Sequence, residues 1–217
     1  MKFTNIFFAA FIAILFTSCA SRPYISPDLK TKAQKGATMA ILPYSIIFEG
    51  RLPRNMSPEQ LEAQDRRERL AFQQSLFYQI SSRLNGSNIR LQSVASTNSK
   101  LSELNLDLHK IENYKPEKLA EKLGVDMVVV PNLIKHRYLS DEASAAITVA
   151  SVMIGSGSVL QVNPKTNDVK ASFTIIEANN GNVLWSIKRK NAADWSRPVE
   201  NALDRLHVRM SRKLGKL

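Results

Sequence analysis

The side chains that could carry out chemistry are few and widely separated in this chain of 217 residues. The histidines, His109, His136 and His207, are far apart, have no second ligand at metal spacing and belong to no H-E-x-x-H motif. The carboxylates of Asp126 and Glu177 are isolated, so no pair is available for acid–base work. We therefore predict no catalytic residue, no metal site and no cofactor, and a protein that is not an enzyme. We expect His207 to be solvated beside the polar face of a helix and His136 to end a strand.

The one cysteine of the chain, Cys19, follows an apolar run at residues 3–16 that is preceded by a lysine. This is the layout of an export signal, and the run is shorter than the roughly 20 residues of a membrane-spanning helix. Because the cysteine stands directly after the small residue Ser18, the run resembles the lipobox of bacterial lipoproteins. The resemblance implies that residues 1–18 are a cleaved signal peptide and that the Cys19 thiol is acylated with fatty acids such as palmitate. A soluble secreted protein and an uncleaved membrane anchor are the alternatives.

The residues after Cys19 and the net charge bear on location and partners. Ala20 and Ser21 stand where many lipoproteins of the inner membrane carry an aspartate, so we predict an outer-membrane anchor and a domain facing the periplasm. The net charge of +11 falls to +10 when the signal leaves with its single lysine. This excess favours an anionic surface or an acidic envelope protein as partner, whereas export argues against nucleic acid. A generally basic, solvated surface is the alternative.

Beyond the signal we predict a flexible tether at residues 19–35 and one folded domain at residues 36–217. The tether prediction rests on Pro23, Pro27 and the lack of a hydrophobic period, a composition typical of extended chain. The rest of the chain is long enough to bury a core of its own.

Hydrophobic periodicity in the domain predicts strands that alternate with helices. Predicted strands are residues 38–44, 89–94 and 127–130, the last of which continues after an interruption at Pro131 to residue 138, and a hairpin is predicted at residues 169–187. Predicted helices are residues 57–84, 117–123 and 196–214. On the first of these helices we expect a buried stripe that starts at Leu70 and a solvated charged run at residues 65–69. We predict a loop at residues 45–57, and mostly loop with possible helical turns at residues 95–114. The order of elements predicts a single α/β domain with a mixed sheet covered by helices.

Three short segments carry a resemblance to a known group of proteins. They are residues 39–43 (MAILP), residues 116–129 (PEKLAEKLGVDMVV) and residues 175–185 (IIEANNGNVLW). In this order they resemble motifs of bacterial envelope lipoproteins of the CsgG/LpoB-like group, whose fold is similar to the N-terminal domain of TolB. The resemblance implies an accessory protein that recruits or regulates an envelope machine for cell-wall synthesis or secretion.

We expect the distinctive residues of these segments to have structural roles. We expect Gly124 to supply the positive φ of a helix end and Gly181 that of a turn. We expect Trp185 to be buried with a partner for its indole N–H.

One segment combines apolar side chains with arginines in a way that suits a protein interface. The predicted partner-binding residues are Ile46, Ile47, Phe48, Arg51, Leu52, Arg54 and Met56. The alternative is that Ile46 and Ile47 fold back onto the core.

A second segment, residues 143–162, is rich in small and apolar residues and precedes the hairpin. It is predicted to be either a helix at residues 141–154 packed on the sheet or an inserted hairpin. The second possibility gives the alternative function, a homo-oligomeric secretion pore like that of the curli system. Its weakness is that the segment lacks the alternation of a barrel strand.

Overall fold

The computed structural model describes residues 22–50, 57–84, 87–106, 108–137, 167–193 and 199–214. Its strands are β1 (Tyr24–Ile25), β2 (Thr38–Ile41), β3 (Ser45–Gly50), β4 (Arg90–Leu91), β5 (Met127–Arg137), β6 (Asn167–Glu177) and β7 (Val183–Ala193). Its helices are α1 (Pro27–Lys35), α2 (Pro58–Leu84), α3 (Val94–Glu103), α4 (Pro116–Leu123) and α5 (Val199–Leu214). A 3₁₀ helix, Leu108–Asn113, lies between α3 and α4.

The seven strands form one mixed sheet in the order β1-β7-β6-β5-β2-β4, with β3 also paired to β5. β2 pairs in parallel with the start of β5 at Met127–Val129, and β3 pairs in parallel with its second part at Asn132–Arg137. β6 occupies the other side of β5 over its whole length. β2 and β3 therefore follow one another along the same side of β5.

Helices pack on both faces of the sheet around two hydrophobic cores. The larger core joins α1, α2 and α5 to side chains of one face, among them Phe173 and Trp185. The smaller core joins α3, the 3₁₀ helix and α4 to the opposite face, around Leu101 and Val128. The predicted α/β domain with a mixed sheet covered by helices is confirmed.

The ends of two helices are formed as the sequence predicts. The Ser57 hydroxyl accepts the Gln60 amide at 3.3 Å, and the Gln60 side chain accepts the Ser57 amide at 2.8 Å, which makes a capping box at the start of α2. Gly124, with φ of 69°, ends α4, and Gly181, with φ of 71°, lies in the β6–β7 turn. The predicted positive φ is confirmed at both glycines.

The predicted tether at residues 19–35 is wrong over its second half. β1 pairs with β7, and α1 follows it with Leu29 fully buried in the larger core. The Ser26 side chain caps α1, Pro27 occupies its first turn and Gly36 ends it with φ of 85°. A proline at the first position of a helix costs no hydrogen bond, so Pro27 starts a helix here rather than extending a linker. The folded domain therefore includes β1 and α1.

The predicted buried stripe of α2 is confirmed at Ile80 and Leu84 and wrong at its start. Leu70 is 47 % exposed, whereas Arg69 and Gln73 are buried along with Phe72 and Leu76. Arg69 and Gln73 occupy this face because each side chain donates a hydrogen bond to a main-chain carbonyl of the β2–β3 region. The prediction of a fully solvated run at residues 65–69 is wrong for this reason.

The two predicted loops contain regular structure. Residues 45–50 form β3, and residues 95–114 are mostly α3 and the 3₁₀ helix. The second was expected to hold no more than helical turns, because few of its apolar side chains are buried, chiefly Leu101 and Ile111. Ser93 caps α3 by accepting the Ser96 amide at 3.2 Å.

Several predictions fall outside the described residues: the signal peptide at 1–18, lipidation at Cys19 and the segment 143–162. Within the described ranges, no helix has both the length and the apolar character needed to cross a bilayer.

Candidate partner-binding surface

β3 forms an edge of the sheet and carries exposed apolar side chains. It pairs with β5, where Ile47 lies opposite Ile134, and no other described strand pairs with it. Ile47 is 52 % exposed and Phe48 is 40 % exposed. Ile46, by contrast, packs against the larger core, so of the two isoleucines only this one folds back.

The structure thus places three of the seven predicted partner-binding residues on one strand. Ile47 and Phe48 are the exposed members of this strand, and Ile46 anchors it. The other four lie outside the described residues, namely Arg51, Leu52, Arg54 and Met56.

The start of β3 is held by a guanidinium group from α2. Arg69 donates to the Tyr44 carbonyl through one terminal nitrogen and reaches the Ile46 carbonyl at 3.5 Å through the other. Its Nε donates to Asp65 at 2.7 Å, so the buried charge has a carboxylate partner. Nearby, Lys135 of β5 pairs with Glu68 of α2. These contacts hold the start of β3 and its neighbour β5 against α2.

Tyr44 belongs to a buried polar network that the sequence did not reveal. Its ring contacts Phe72 and Phe173 edge-on, with centroids 5.9 and 6.3 Å away, and its hydroxyl is hydrogen-bonded to Nε2 of His207. Nδ1 of His207 lies 2.8 Å from the Ser75 hydroxyl. The prediction that His207 is solvated is wrong, because its ring is completely buried.

The protonation of this network follows from its geometry. The Ser75 hydroxyl donates to Asp204 at 2.6 Å, so Nδ1 of His207 must donate to Ser75 and Nε2 must accept from Tyr44. Burial lowers the pKa of His207 to about 4 and raises that of Tyr44 well above its usual value. Because the serine hydrogen goes to Asp204, the histidine does not act as a base toward Ser75. The network joins α2, α5 and the β2–β3 break.

A small cleft opens at the junction of β2 and β3. Its volume is about 270 Å³, which suits a side chain of a partner better than a cofactor. The cleft is lined by Leu42, Pro43, Ser45, Ile111, Glu112, Tyr114, Pro116, Val130, Pro131 and Asn132.

The described helices on the α4 side of the sheet pack over one end of that face. α3, the 3₁₀ helix and α4 pack there over β2 and the first part of β5, and no described helix covers that face of β7. Three exposed lysines lie on this face of β6 and β7. Lys170 on β6 is opposite Lys190 on β7, and Lys188 precedes Lys190 by two residues. Lys190 pairs with Asp168 at 2.5 Å.

The isolated carboxylates of the sequence have structural partners. Asp126 accepts the Thr38 amide at 2.7 Å and the Thr38 hydroxyl at 2.8 Å, and the first of these bonds lowers its pKa. Glu177 pairs with Lys32 of α1 at 2.5 Å. In the described part of the chain, no three metal-binding side chains come together.

The remaining histidine and the predicted tryptophan are placed as follows. His136 lies next to the last residue of β5, 3.2 Å from Glu49 of β3, and the side chain of His109 lies outside the described residues. Trp185 is buried as predicted, but its indole N–H has no hydrogen-bond partner among the described residues, which corrects the expectation of one.

No protein-family model and no curated protein matches the chain. Among solved structures, it is similar to the PelC dodecamer from Paraburkholderia phytofirmans, with 12 % identity, a TM-score of 0.44 and coverage of 89 % of this chain and 96 % of that one. Lipoprotein GNA1162 from Neisseria meningitidis is 14 % identical, with a TM-score of 0.42 and coverage of 82 % and 96 %. The LpoB C-terminal domain from Salmonella enterica is 14 % identical, with a TM-score of 0.36 and coverage of 72 % and 82 %. At these values the likeness assigns neither a family nor a function.

Proposed function

We propose that this chain is a lipid-anchored, non-enzymatic accessory protein of the bacterial envelope that binds a protein partner along β3. The observation that carries the proposal is the β3 edge, where Ile47 and Phe48 are exposed on a strand with one unpaired side among the described residues.

An edge strand of this kind is a template for strand pairing. Soluble proteins protect such edges with charge, proline or a covering element. Between Ser45 and Gly50, Glu49 is the one charged residue, and it is engaged with His136. A partner that adds a strand here gains main-chain hydrogen bonds and covers both apolar side chains.

The anchoring part of the proposal rests on the sequence that ends at Cys19. We place the protein at the outer membrane, facing the periplasm, in a machine for cell-wall synthesis or secretion, because of the lipobox and the three motif segments. The pore alternative depends on residues 143–162, outside the described ranges, and we do not adopt it.

Site-specific crosslinking in cells tests the β3 surface. A photoreactive residue at Ile47 or Phe48 should capture the same envelope protein, and the purified captured protein should lose binding to an Ile47→Asp variant. Tyr78 is the control position, because it is 63 % exposed on α2 and lies on another surface. Equal capture from position 78, or unchanged binding of Ile47→Asp, would remove β3 from the proposal.

A further inference from the structure

The cleft at the junction of β2 and β3 lies where the pairing along β5 is interrupted. The last residue of β2 in register with β5 lies opposite Val129, and the first residue of β3 lies opposite Asn132. Neither strand therefore has a residue in register with Val130 or Pro131. Pro131 and Pro43, which both line the cleft, have no amide hydrogen to donate to a ladder. The break between β2 and β3, and the cleft that it leaves, therefore follow from the sequence.

The lining of the cleft combines apolar walls with a single carboxylate. Six of the ten lining residues have purely hydrocarbon side chains, and Glu112 is the one lining residue that is charged. Glu112 is exposed, so its carboxylate remains in contact with water. The nearby Lys115 is exposed as well, and it does not line the cleft. The cleft thus offers apolar surface together with one negative charge.

This combination fits a long basic side chain. Lysine and arginine bury their methylene stems against apolar surface and keep the charged head in water. The volume of about 270 Å³ is below the roughly 300–1,000 Å³ that is typical of small-molecule sites. Tyr114, which is half-buried in the lining, adds an aromatic ring that attracts a cation. An acidic side chain would be repelled by Glu112, and a neutral one would gain nothing from its charge.

The cleft lies on the same side of the sheet as the exposed Ile47. Side chains alternate along a strand, so Ile47 is on the same face as Ser45, the β3 residue that lines the cleft. A strand that covers Ile47 presents its next side chain on this face two positions away, which is about 7 Å along the strand. A side chain opposite Ser45 starts about 5 Å from it, within reach of the cleft for a long side chain. At the other side of Ile47, Glu49 is engaged with His136.

We propose that the partner segment that pairs with β3 carries a basic side chain, arginine or lysine, two positions from an apolar one. The apolar side chain covers Ile47, and the basic side chain enters the cleft and binds Glu112. This spacing is the same for a parallel and an antiparallel segment, because it is measured along the added strand alone. The inference rests on the proposed function, since it specifies the partner that β3 binds.

Selection from a displayed library of short random peptides tests this pattern. The bait is the full-length protein purified in detergent. Peptides that lose binding to an Ile47→Ser variant are the β3 ligands, and we expect them to be enriched in arginine or lysine two positions from an apolar residue. β3 ligands without a basic residue at that spacing would overturn the inference and leave the β3 surface in place. If no selected peptide depends on Ile47, the proposed β3 surface is refuted, and this inference with it.

A matched pair of peptides tests the contact with Glu112. One carries arginine at the selected basic position, and the other carries citrulline, which has nearly the same shape and no charge. We expect the arginine peptide to bind wild type about fivefold more tightly, as for an exposed ion pair, and Glu112→Gln to remove this difference. Glu103→Gln neutralises an exposed acid of α3 outside the cleft and should preserve it. Equal binding of the two peptides to wild type, or a difference that persists in Glu112→Gln, would overturn the inference.

Discussion

Tyr44 and His207 are separated by 163 positions in the sequence, yet the tyrosine hydroxyl is hydrogen-bonded to Nε2 of the histidine inside the core. Tyr44 stands immediately before β3, and His207 stands in the middle of α5. Ser75 of α2 binds the other ring nitrogen. The residue that precedes the proposed partner-binding strand is thus linked, through one imidazole, to α2 and α5, two of the three helices that pack on the larger core.

Removal of this imidazole should destabilise the protein. His207→Ala leaves the buried Tyr44 hydroxyl and Ser75 without their partner and creates a cavity, so we expect a loss of about 3 kcal/mol in the free energy of unfolding. His136→Ala removes a partly exposed histidine and should cost less than about 1 kcal/mol. Urea unfolding of both variants measures the difference. Equal losses would show that the network does not hold the fold.

The same histidine should make stability depend on pH. Its pKa falls from 6.5 to about 4 on folding, so below pH 6.5 the unfolded chain binds a proton that the folded chain does not. The stabilisation is complete above pH 6.5 and is lost as the pH falls toward 4. Between pH 7 and 4, wild type should lose about 3 kcal/mol more than His207→Gln, which lacks the titrating group. Parallel pH profiles of the two proteins would contradict this.

Arg69 should control the order of β3. Arg69→Lys keeps the charge but cannot reach the Tyr44 and Ile46 carbonyls together, so we expect a loss of about 2 kcal/mol and faster hydrogen exchange at residues 45–50. Arg66→Lys is the matched control, because Arg66 is 64 % exposed and pairs with Glu62 within one helix. Unchanged exchange in Arg69→Lys would mean that the guanidinium does not hold the strand.

The end of α4 gives a test of backbone geometry alone. Gly124 has φ of 69°, and a Cβ atom there would meet nothing closer than the Lys100 ammonium at 4.0 Å. Gly124→Ala should therefore cost about 1 kcal/mol through its left-handed conformation and not through a clash. Lys122→Ala, at an exposed position of the same helix, should change the melting temperature little. A neutral Gly124→Ala would refute the conformational argument.

The elements that were predicted correctly are those whose signals are local. The β6–β7 hairpin was recognisable because Val169, Ala171, Phe173 and Ile175 alternate with polar residues, and all four are buried. α1 also has local signals, since Ser26 is its capping residue and Pro27 its first residue. The tether was predicted instead because the two prolines of the segment are typical of extended chain. A capping serine directly before a proline would have identified the helix.

The interior of the β2–β3 junction was not predictable in this way. Arg69 is buried because the carbonyls that accept its hydrogen bonds belong to Ile46 and Tyr44, which are 23 and 25 positions away in the sequence. His207 is buried because Tyr44 and Ser75 reach it from two other elements. A sequence read one element at a time assigns such side chains to solvent, because their partners are defined only by the tertiary fold.

The most direct test of the central claim, a lipid anchor at Cys19, is metabolic labelling with palmitate in the native host. We expect wild type to incorporate the label, to fractionate with membranes and to have the mass of a mature chain that starts at the acylated cysteine. Cys19→Ser should incorporate none. An unlabelled wild type, or equal labelling of Cys19→Ser, would contradict the account.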